Sequence, residues 1–250
     1  MADPVLYIAG DVHLGEFGGG FPAWLDVLAT RSPARLVLLG DLVEFWLESA
    51  SSVARHAEVL TRIRTLVRRG WRVDLVRGNR ELAAGRQLAC ASGCRMHWPA
   101  LDLALGPVRL RIVHGDRLCH DPGYHFYAAL VRSFPFAWWQ RLHPACIQET
   151  VALWLRGRSK QKRARRLAAP QRRPRVFLDA RRIVASARGC DRLIAGHIHA
   201  AWTRQIRGVD LTLVGDWPGR AGHWLEGFAD GRLEPRREDF AGPPAAGPNP

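Results

Sequence analysis

The chain has few cysteines and no pair of them at a spacing that binds metal. Five cysteines stand among its 250 residues, an odd number, and no Cys-x-x-Cys segment occurs. A thiolate zinc site needs such pairs, and a disulfide framework needs an even set of cysteines. Neither is expected, and the thiols are predicted to be reduced and buried.

Long apolar runs are also missing. No run approaches the roughly 18 residues that a spanning helix needs, and the chain enters a strand-like segment at Val5 without a signal-peptide pattern. These absences predict a cytoplasmic protein, for which any contact with a membrane would be peripheral.

Acidic residues are scarce relative to basic ones. The chain has 23 Asp and Glu against 37 Lys and Arg, a formal net charge of +14. Such an excess of positive charge indicates an anionic partner: nucleic acid, an anionic membrane surface or a phosphorylated ligand. Composition alone does not choose among them.

Short apolar runs alternate with longer amphipathic stretches over the first 115 residues. The sequence predicts strands at Val5–Ala9, Leu36–Leu39 and Val73–Val76 and helices at Pro22–Thr30, Val53–Arg69 and Glu81–Ala91. Alternation of this kind implies βαβ units and a parallel sheet.

Later segments add strands of a different kind. The turn Gly106-Pro107 predicts a hairpin of Leu101–Leu105 with Val108–Val113, and residues 192–233 return to short strands with Gly-rich turns. The predicted fold class is therefore α/β, a mixed two-sheet β sandwich flanked by helices.

The amino-acid composition of the sequence changes between residues 119 and 188. Strand-like runs disappear, aromatic residues cluster, and the segment Arg156–Arg166 carries seven basic residues and no acidic one. We expect a core formed by residues 1–118 and 189–240, an inserted helical lid at 119–188, and a disordered Gly/Pro/Ala-rich tail at 241–250.

Five polar clusters each follow an apolar run, where an open sheet collects its ligands. They are Asp11-Val12-His13, Gly40-Asp41, Gly78-Asn79-Arg80, His114-Gly115-Asp116 and Gly196-His197-Ile198-His199. Each cluster taken alone is typical of an ordinary turn or a hydrogen-bonded histidine. The five together, in this order, predict a metal site.

The donor types in these clusters define the metal chemistry. Asp, Asn and His form a mixed oxygen and nitrogen set, which suits Mn²⁺, Fe or Zn²⁺ and also admits Mg²⁺. Asp11 and His13 project to the same side of an extended segment and can share one ion. Asp41 has two oxygens and can bridge two ions, which together would activate a water molecule for attack on phosphorus.

The ordered clusters resemble the motifs of the calcineurin-like metallophosphoesterases, over residues 5–199. Most members of that family have a His after the Gly-Asn pair, whereas this chain has Arg80. With the neighbouring segments Gly40–Trp46 and His114–Cys119, the Arg resembles the UDP-2,3-diacylglucosamine diphosphatases. That resemblance implies cleavage of a UDP-linked diacylated sugar to UMP and lipid X in lipid A biosynthesis, with Mn²⁺ and a helical lid.

The resemblance also implies roles for individual residues. One ion would be held by Asp11, His13, Asp41 and His199, and the other by Asp41, Asn79, His114 and His197. The catalytic group would comprise Asp41, Asn79, Arg80 and His114. Contacts to the substrate would come from Asn79, Arg80, Asp121, Ser159, Lys160 and His197.

Two departures from the family pattern bear on specificity. Glu81 stands where an Asp is usual, and Gly215-Asp216-Trp217-Pro218 stands where the family has Gly-Ala-Trp-His. The sequence does not define their effect, nor the metal in the cell, the acyl chain preference or the oligomeric state.

Arg80 supports a pyrophosphate substrate on its own chemistry. A guanidinium stays cationic and cannot act as a general acid, while a nucleotide or phosphosugar leaves with little protonation. An Arg at this place therefore favours pyrophosphate cleavage over hydrolysis of an alkyl ester. The alternative interpretation is a surface ion pair with Glu81 or Glu44.

The basic lid leaves alternatives open. Its basic residues are interpreted as an anion-binding lid, a solvated helix face or a peripheral contact with anionic lipid. Its aromatic residues are interpreted as part of the core or as a slot for acyl chains. Nucleic acid could use the same features. The rival functions are thus a phosphodiesterase or nuclease of the same fold and a non-catalytic binding module.

Overall fold

A computed structural model describes residues 3–15, 18–44, 46–81, 85–120, 142, 147 and 178–240. The chain divides into two compact units, Met1–Leu118 with Ala180–Pro250, and Cys119–Asp179. Most of the predicted lid lies outside the described residues, as does the predicted disorder of residues 241–250, and the last part of the predicted lid range contains a described helix, Ala180–Ser186, in the first unit. Among the described residues, no helix is both long and apolar enough to cross a membrane.

Eleven strands are described in the first unit. They are β1 Leu6–Ala9, β2 Arg35–Leu38, β3 Arg72–Val76, β4 Arg95–His97, β5 Ala100–Leu105, β6 Val108–Val113, β7 Arg192–Ala195, β8 Ala201–Ile206, β9 Val209–Val214, β10 Ala221–Gly227 and β11 Leu233–Asp239. The described helices are α1 Phe21–Thr30, α2 Ala50–Arg55, α3 Ala57–Arg68, α4 Arg86–Ser92 and α5 Ala180–Ser186.

The strands form two mixed sheets. The first has the order β11-β10-β1-β2-β3-β4, and the second has the order β5-β6-β7-β9-β8. Strands β1 to β4 are parallel, as are β6, β7 and β9, while β10, β11, β5 and β8 pair antiparallel with their neighbours. The predicted two-sheet α/β fold is confirmed, including the hairpin of β5 and β6.

Alternation along β1 and β2 explains the two hydrophobic layers. Ile8 and Val37 belong to one cluster with Ile112 and Ile194 of the second sheet. Their chain neighbours, such as Leu36, belong to the other cluster, which includes the apolar residues of α1 and α3. Because successive side chains of a strand point to opposite faces, the first sheet packs on the second with one face and on helices with the other.

Several predicted boundaries were wrong. The helix predicted at Val53–Arg69 is two helices that meet at His56, and the helix predicted at Glu81–Ala91 begins at Arg86. Glu81 is instead fully buried in a bend. Strand β4 was not predicted, because three residues are too few to show a period.

The prediction of buried thiols holds only in part. Cys94 and Cys119 are buried and Cys190 is half-buried, but Cys90 is exposed on α4. None of the four forms a disulfide bond, and Cys146 lies outside the described residues. Burial raises the pKa of the Cys94 thiol to about 12, because the thiolate is poorly solvated there.

Candidate metal centre

The predicted ligands come from the ends of strands in both sheets. Asp11, Asp41 and Asn79 follow β1, β2 and β3, whereas His114 and His197 follow β6 and β7. The carboxyl ends of parallel strands lie along the same edge of a sheet, so residues that follow several strands can meet there.

The first group consists of Asp11, His13 and His199. One ligand atom from each residue lies within 4.8 Å of the other two. The Nε2 atoms of His13 and His199 are 3.2 Å apart, and their rings stack at 5.0 Å with an angle of 21° between planes. Two ring nitrogens and a carboxylate thus converge on one point.

The second group consists of Asp41, His114 and His197, within the same distance limit. The Oδ1 atom of Asn79 lies 3.0 Å from His114 Nε2 and 3.1 Å from His197 Nδ1. The amide oxygen of Asn79 therefore joins this group, as its position after β3 led us to expect.

Asp41 lies between the two groups. Its Oδ2 is 3.8 Å from His13 Nε2, and its Oδ1 is 3.5 Å from His114 Nε2. One carboxylate thus faces both groups, which is the arrangement that a bridging ligand requires.

Backbone strain is concentrated at these residues. Among the described residues, six that are not glycine have a positive φ, and five of them are predicted ligands: Asp11 at 51°, His13 at 51°, Asp41 at 49°, His197 at 69° and His199 at 56°. Left-handed backbone is costly for side chains with a Cβ and is found mainly where function needs it.

Glu81 holds the Asp41 loop in place. Its Oε2 accepts the backbone N–H of Asp41 at 2.8 Å, and its Oε1 accepts those of Leu42 at 2.6 Å and Val43 at 3.2 Å. This fully buried carboxylate satisfies three amides that the strained turn withdraws from the sheet. Sequence reasoning treated Glu81 as a departure from the family pattern, as an alternative ion-pair partner of Arg80 and as the start of a helix, and it missed this role.

Gly78 allows the neighbouring loop to approach Asp41 closely. A Cβ added at Gly78 would overlap the backbone nitrogen and the Oδ1 atom of Asp41. Only a glycine fits between the two strand ends, which explains the Gly before Asn79.

Two ligand imidazoles are oriented from behind. The Nδ1 atom of His114 lies 2.6 Å from the backbone oxygen of Leu39, and Nδ1 of His199 lies 3.0 Å from Asp216 Oδ2. Both acceptors lack hydrogens, so each Nδ1 carries the proton and each Nε2 faces its ligand group.

The pKa values of the predicted ligands are shifted because several ionisable groups are buried close together. Burial raises the pKa of Asp11 to about 7 and lowers those of His13 and His197 to about 4. Burial opposes the ionisation of Asp41 as well, but His114, His13 and Arg80 hold its pKa below the usual value. Two histidines are thus kept neutral, which is the form that binds a metal ion.

Arg80 lies at the centre rather than in a peripheral ion pair. Its Nε is 3.8 Å from Asp41 Oδ2, with about a third of the side chain exposed, and its backbone N–H donates to Asp41 Oδ1 at 2.8 Å. The carboxylate of Glu81 is occupied by the backbone amides of residues 41 to 43. Arg80 therefore presents a cation beside the shared carboxylate.

The centre fits a pair of divalent cations. Its donors are carboxylate, amide oxygen and imidazole, which hard and borderline metals prefer. The buried Oδ1 atom of Asp11 has no hydrogen-bond partner among the described residues, although a buried carboxylate oxygen normally has one. A cation at the first group would satisfy this atom.

Three predicted substrate contacts, Asp121, Ser159 and Lys160, lie outside the described residues. Sequence reasoning also missed Asp216, which follows Gly215 at the end of β9. The signal was present, since the run Leu211–Val214 followed by Gly-Asp has the same form as the run before Asp41.

Comparisons with known proteins give relatives over most of the chain. A UDP-2,3-diacylglucosamine hydrolase of Photorhabdus laumondii is 29% identical over 231 residues, which is 88% of this chain and 90% of that protein. One of Pseudomonas putida is 26% identical over 245 residues, covering 92% and 98%.

Among solved structures, a Vps29 mutant of Entamoeba histolytica aligns with a TM-score of 0.44 and 16% identity over 94% of this chain and 99% of that one. No protein-family model matches the chain. The predicted resemblance is confirmed by the sequence relatives: over most of its length the chain is similar to UDP-2,3-diacylglucosamine hydrolases, and its described residues form two mixed sheets with flanking helices.

Proposed function

We propose that the chain is a dinuclear-metal hydrolase that cleaves the pyrophosphate of UDP-2,3-diacylglucosamine to UMP and lipid X. The observation that carries the proposal is the position of Asp41, which belongs to one three-residue donor group and also faces the other. The substrate comes from the similarity to hydrolases named for it.

The metals proposed are two Mn²⁺ ions. Asp11, His13, Asp41 and His199 would hold one, and Asp41, Asn79, His114 and His197 would hold the other. When bound, such a pair lowers the pKa of a water molecule and neutralises charge on phosphate oxygens. Water adds to phosphorus, the bond to the bridging oxygen breaks, and the two protons of water are left on the products or in solvent.

Arg80 would stabilise the charge that develops on the leaving phosphate. Its guanidinium is partly exposed beside Asp41, and a fixed cation can form paired hydrogen bonds with phosphate oxygens. It cannot donate a proton, so the leaving group must depart as an anion. A nucleotide or sugar phosphate does so readily, whereas an alkoxide does not.

The remaining substrate contacts are assigned to the inserted segment. Asp121, Ser159 and Lys160, with Asn79 and His197 from the core, would hold the phosphosugar and nucleotide. The basic segment 156–166 supports peripheral contact of the enzyme with the anionic inner face of the cell membrane, where a diacylated substrate resides.

The decisive experiment measures UMP release by the full-length Mn²⁺-loaded protein from UDP-2,3-diacylglucosamine in mixed micelles. We expect metal-dependent release that is abolished in Asp41→Ala and kept in Asp239→Ala, the same substitution at an exposed position of β11. A Mn²⁺-loaded protein that leaves this lipid intact would overturn the proposal. Much faster turnover of DNA, RNA or bis(p-nitrophenyl) phosphate would identify a nuclease or phosphodiesterase instead.

A further inference from the structure

Asp216 stands directly behind one predicted metal ligand. Its Oδ2 lies 3.0 Å from Nδ1 of His199, and both side chains are about a third exposed. A carboxylate accepts hydrogen bonds but donates none when ionised. The hydrogen of the imidazole is therefore held on Nδ1, and Nε2 is left with a lone pair directed toward Asp11 and His13.

The backbone on either side of Asp216 is fixed. Gly215 has φ of 89°, and a Cβ there would meet the Cβ atoms of His223 and Ala201 at 3.0 and 3.1 Å. His223 donates from Nδ1 to the backbone oxygen of Asp216 at 2.8 Å. The carboxylate is thus carried by a turn that cannot shift freely.

Trp217 secures the other side of this turn. Its side chain is fully buried and packs edge-on against Phe21 at 5.0 Å and against Trp24 at 5.2 Å. Its backbone oxygen accepts the N–H of Gly18 at 2.9 Å. The aromatic layer beneath α1 therefore determines where the carboxylate of Asp216 stands.

The other ligand imidazoles have different support. His114 donates to a neutral backbone oxygen, that of Leu39, and Nδ1 of His13 has no hydrogen-bond partner among the described residues. Of these three imidazoles, that of His199 has a carboxylate at its distal nitrogen. A carboxylate partner raises the basicity of a ligating imidazole more than a carbonyl does.

We propose that Asp216 is a positioning residue that strengthens the binding of the ion held by Asp11, His13, Asp41 and His199. The inference rests on the proposed dinuclear centre. Asp216 touches neither substrate nor the predicted ions, and it acts through His199. Loss of such a partner typically weakens metal binding about 10- to 100-fold. The effect should be confined to one of the two ions, because the second group does not contact Asp216.

The test compares Mn²⁺ binding in the full-length protein and three variants. Stoichiometry and affinity are measured by electron paramagnetic resonance and chelator competition for wild type, Asp216→Ala, Asp216→Asn and the control Asp239→Asn. In Asp216→Ala we expect one ion to bind as in wild type and the other about 10- to 100-fold more weakly. Asp216→Asn should lie between, because the amide oxygen still accepts the hydrogen but carries no charge.

A second readout needs no metal. In the metal-free, ¹⁵N-histidine-labelled protein, the His199 signal, assigned by its loss in His199→Asn, should show the Nδ1–H form in wild type and a mixture of forms in Asp216→Ala. If Asp216→Ala fails to fold, Asp216→Asn carries both measurements.

Equal binding of both ions in wild type and the Asp216 variants would overturn the inference and leave the dinuclear proposal standing. Failure of the wild type to bind two ions would instead overturn the dinuclear proposal, and the inference with it.

Discussion

His13 and His199 are 186 residues apart in the chain, yet their Nε2 atoms lie 3.2 Å from each other. His13 follows β1 of the first sheet, and His199 follows β7 of the second sheet. Two imidazole nitrogens at this distance either share a hydrogen or share a cation, and the adjacent carboxylate of Asp11 favours the cation.

Replacement of either histidine should therefore remove an ion. We expect His13→Ala and His199→Ala each to lower the Mn²⁺ affinity of one site. Loss of the hydrogen-bond partner of a ligand lowers affinity roughly 10- to 100-fold, and loss of the ligand itself should lower it further. The rate of UMP release should fall in parallel. Metal analysis after gel filtration measures the stoichiometry. His97→Ala, which removes an imidazole that bonds to Asp74 rather than a predicted ligand, serves as the control. Loss of both ions or of neither in His199→Ala would contradict the assignment.

Removal of Glu81 should destabilise the core and not only the site. Glu81→Ala leaves the amides of Asp41, Leu42 and Val43 buried without their acceptor. Each such group costs about 1–3 kcal/mol, so the free energy of unfolding should fall by about 3 kcal/mol or more. Urea denaturation of the metal-free protein measures it, with the exposed Glu238→Ala as control. A change below about 1 kcal/mol would refute the role given to Glu81.

Asp191 supplies a pH-dependent contribution to stability. Its hydrogen bonds from the Arg109 side chain and backbone hold its pKa at about 2, below the ordinary 3.8. The folded state thus prefers the ionised carboxylate, and its contribution is fully present above pH 3.8 and is lost as the pH falls toward 2.

Asp191→Asn should accordingly lower the urea midpoint at pH 7, and the gap to wild type should narrow below pH 4. Asp239→Asn provides the comparison. A gap that widens on acidification would have the wrong sign.

The thiols should differ in reactivity. Cys90 is exposed, whereas Cys94 is buried with a pKa of about 12, and only the thiolate reacts. Iodoacetamide at pH 8 should modify Cys90 in the native protein and Cys94 only after denaturation. Peptide mass spectrometry reads both sites in one sample, and labelling of Cys94 in the native protein would contradict this prediction.

Bound metal should raise the melting temperature. A ligand that binds only the folded state adds about 2.7 kcal/mol at a concentration 100 times its dissociation constant. We expect Mn²⁺ to stabilise wild type and to give a smaller shift in His199→Ala, measured by scanning calorimetry with and without a chelator. An equal shift in the two proteins would indicate binding elsewhere.

The fold was predictable where the pattern was repetitive. Buried parallel strands such as β1 and β2 read as continuous apolar runs, and the polar residues after them marked the edge where ligands collect. The start of the helix predicted at Glu81 was wrong because a helical pattern does not reveal that Glu81 accepts hydrogen bonds from the buried loop after β2.

The support of the site was harder to predict than its ligands. Asp216 was read as a departure from a family pattern, since nothing in the sequence shows that β9 ends beside His199. Such contacts depend on the pairing of distant strands, while Asp121, Ser159 and Lys160 lie outside the described residues.

The left-handed backbone at five predicted ligands has a consequence for how the chain can vary. Left-handed conformations cost about 1–2 kcal/mol for a residue with a Cβ and little for glycine. At Asp11, His13 or His197, a change to glycine would remove a donor while relieving the backbone. Without metal, inactive descendants of this chain can therefore be more stable than their parent, and a screen for thermal stability in the presence of a chelator would select against the metal centre.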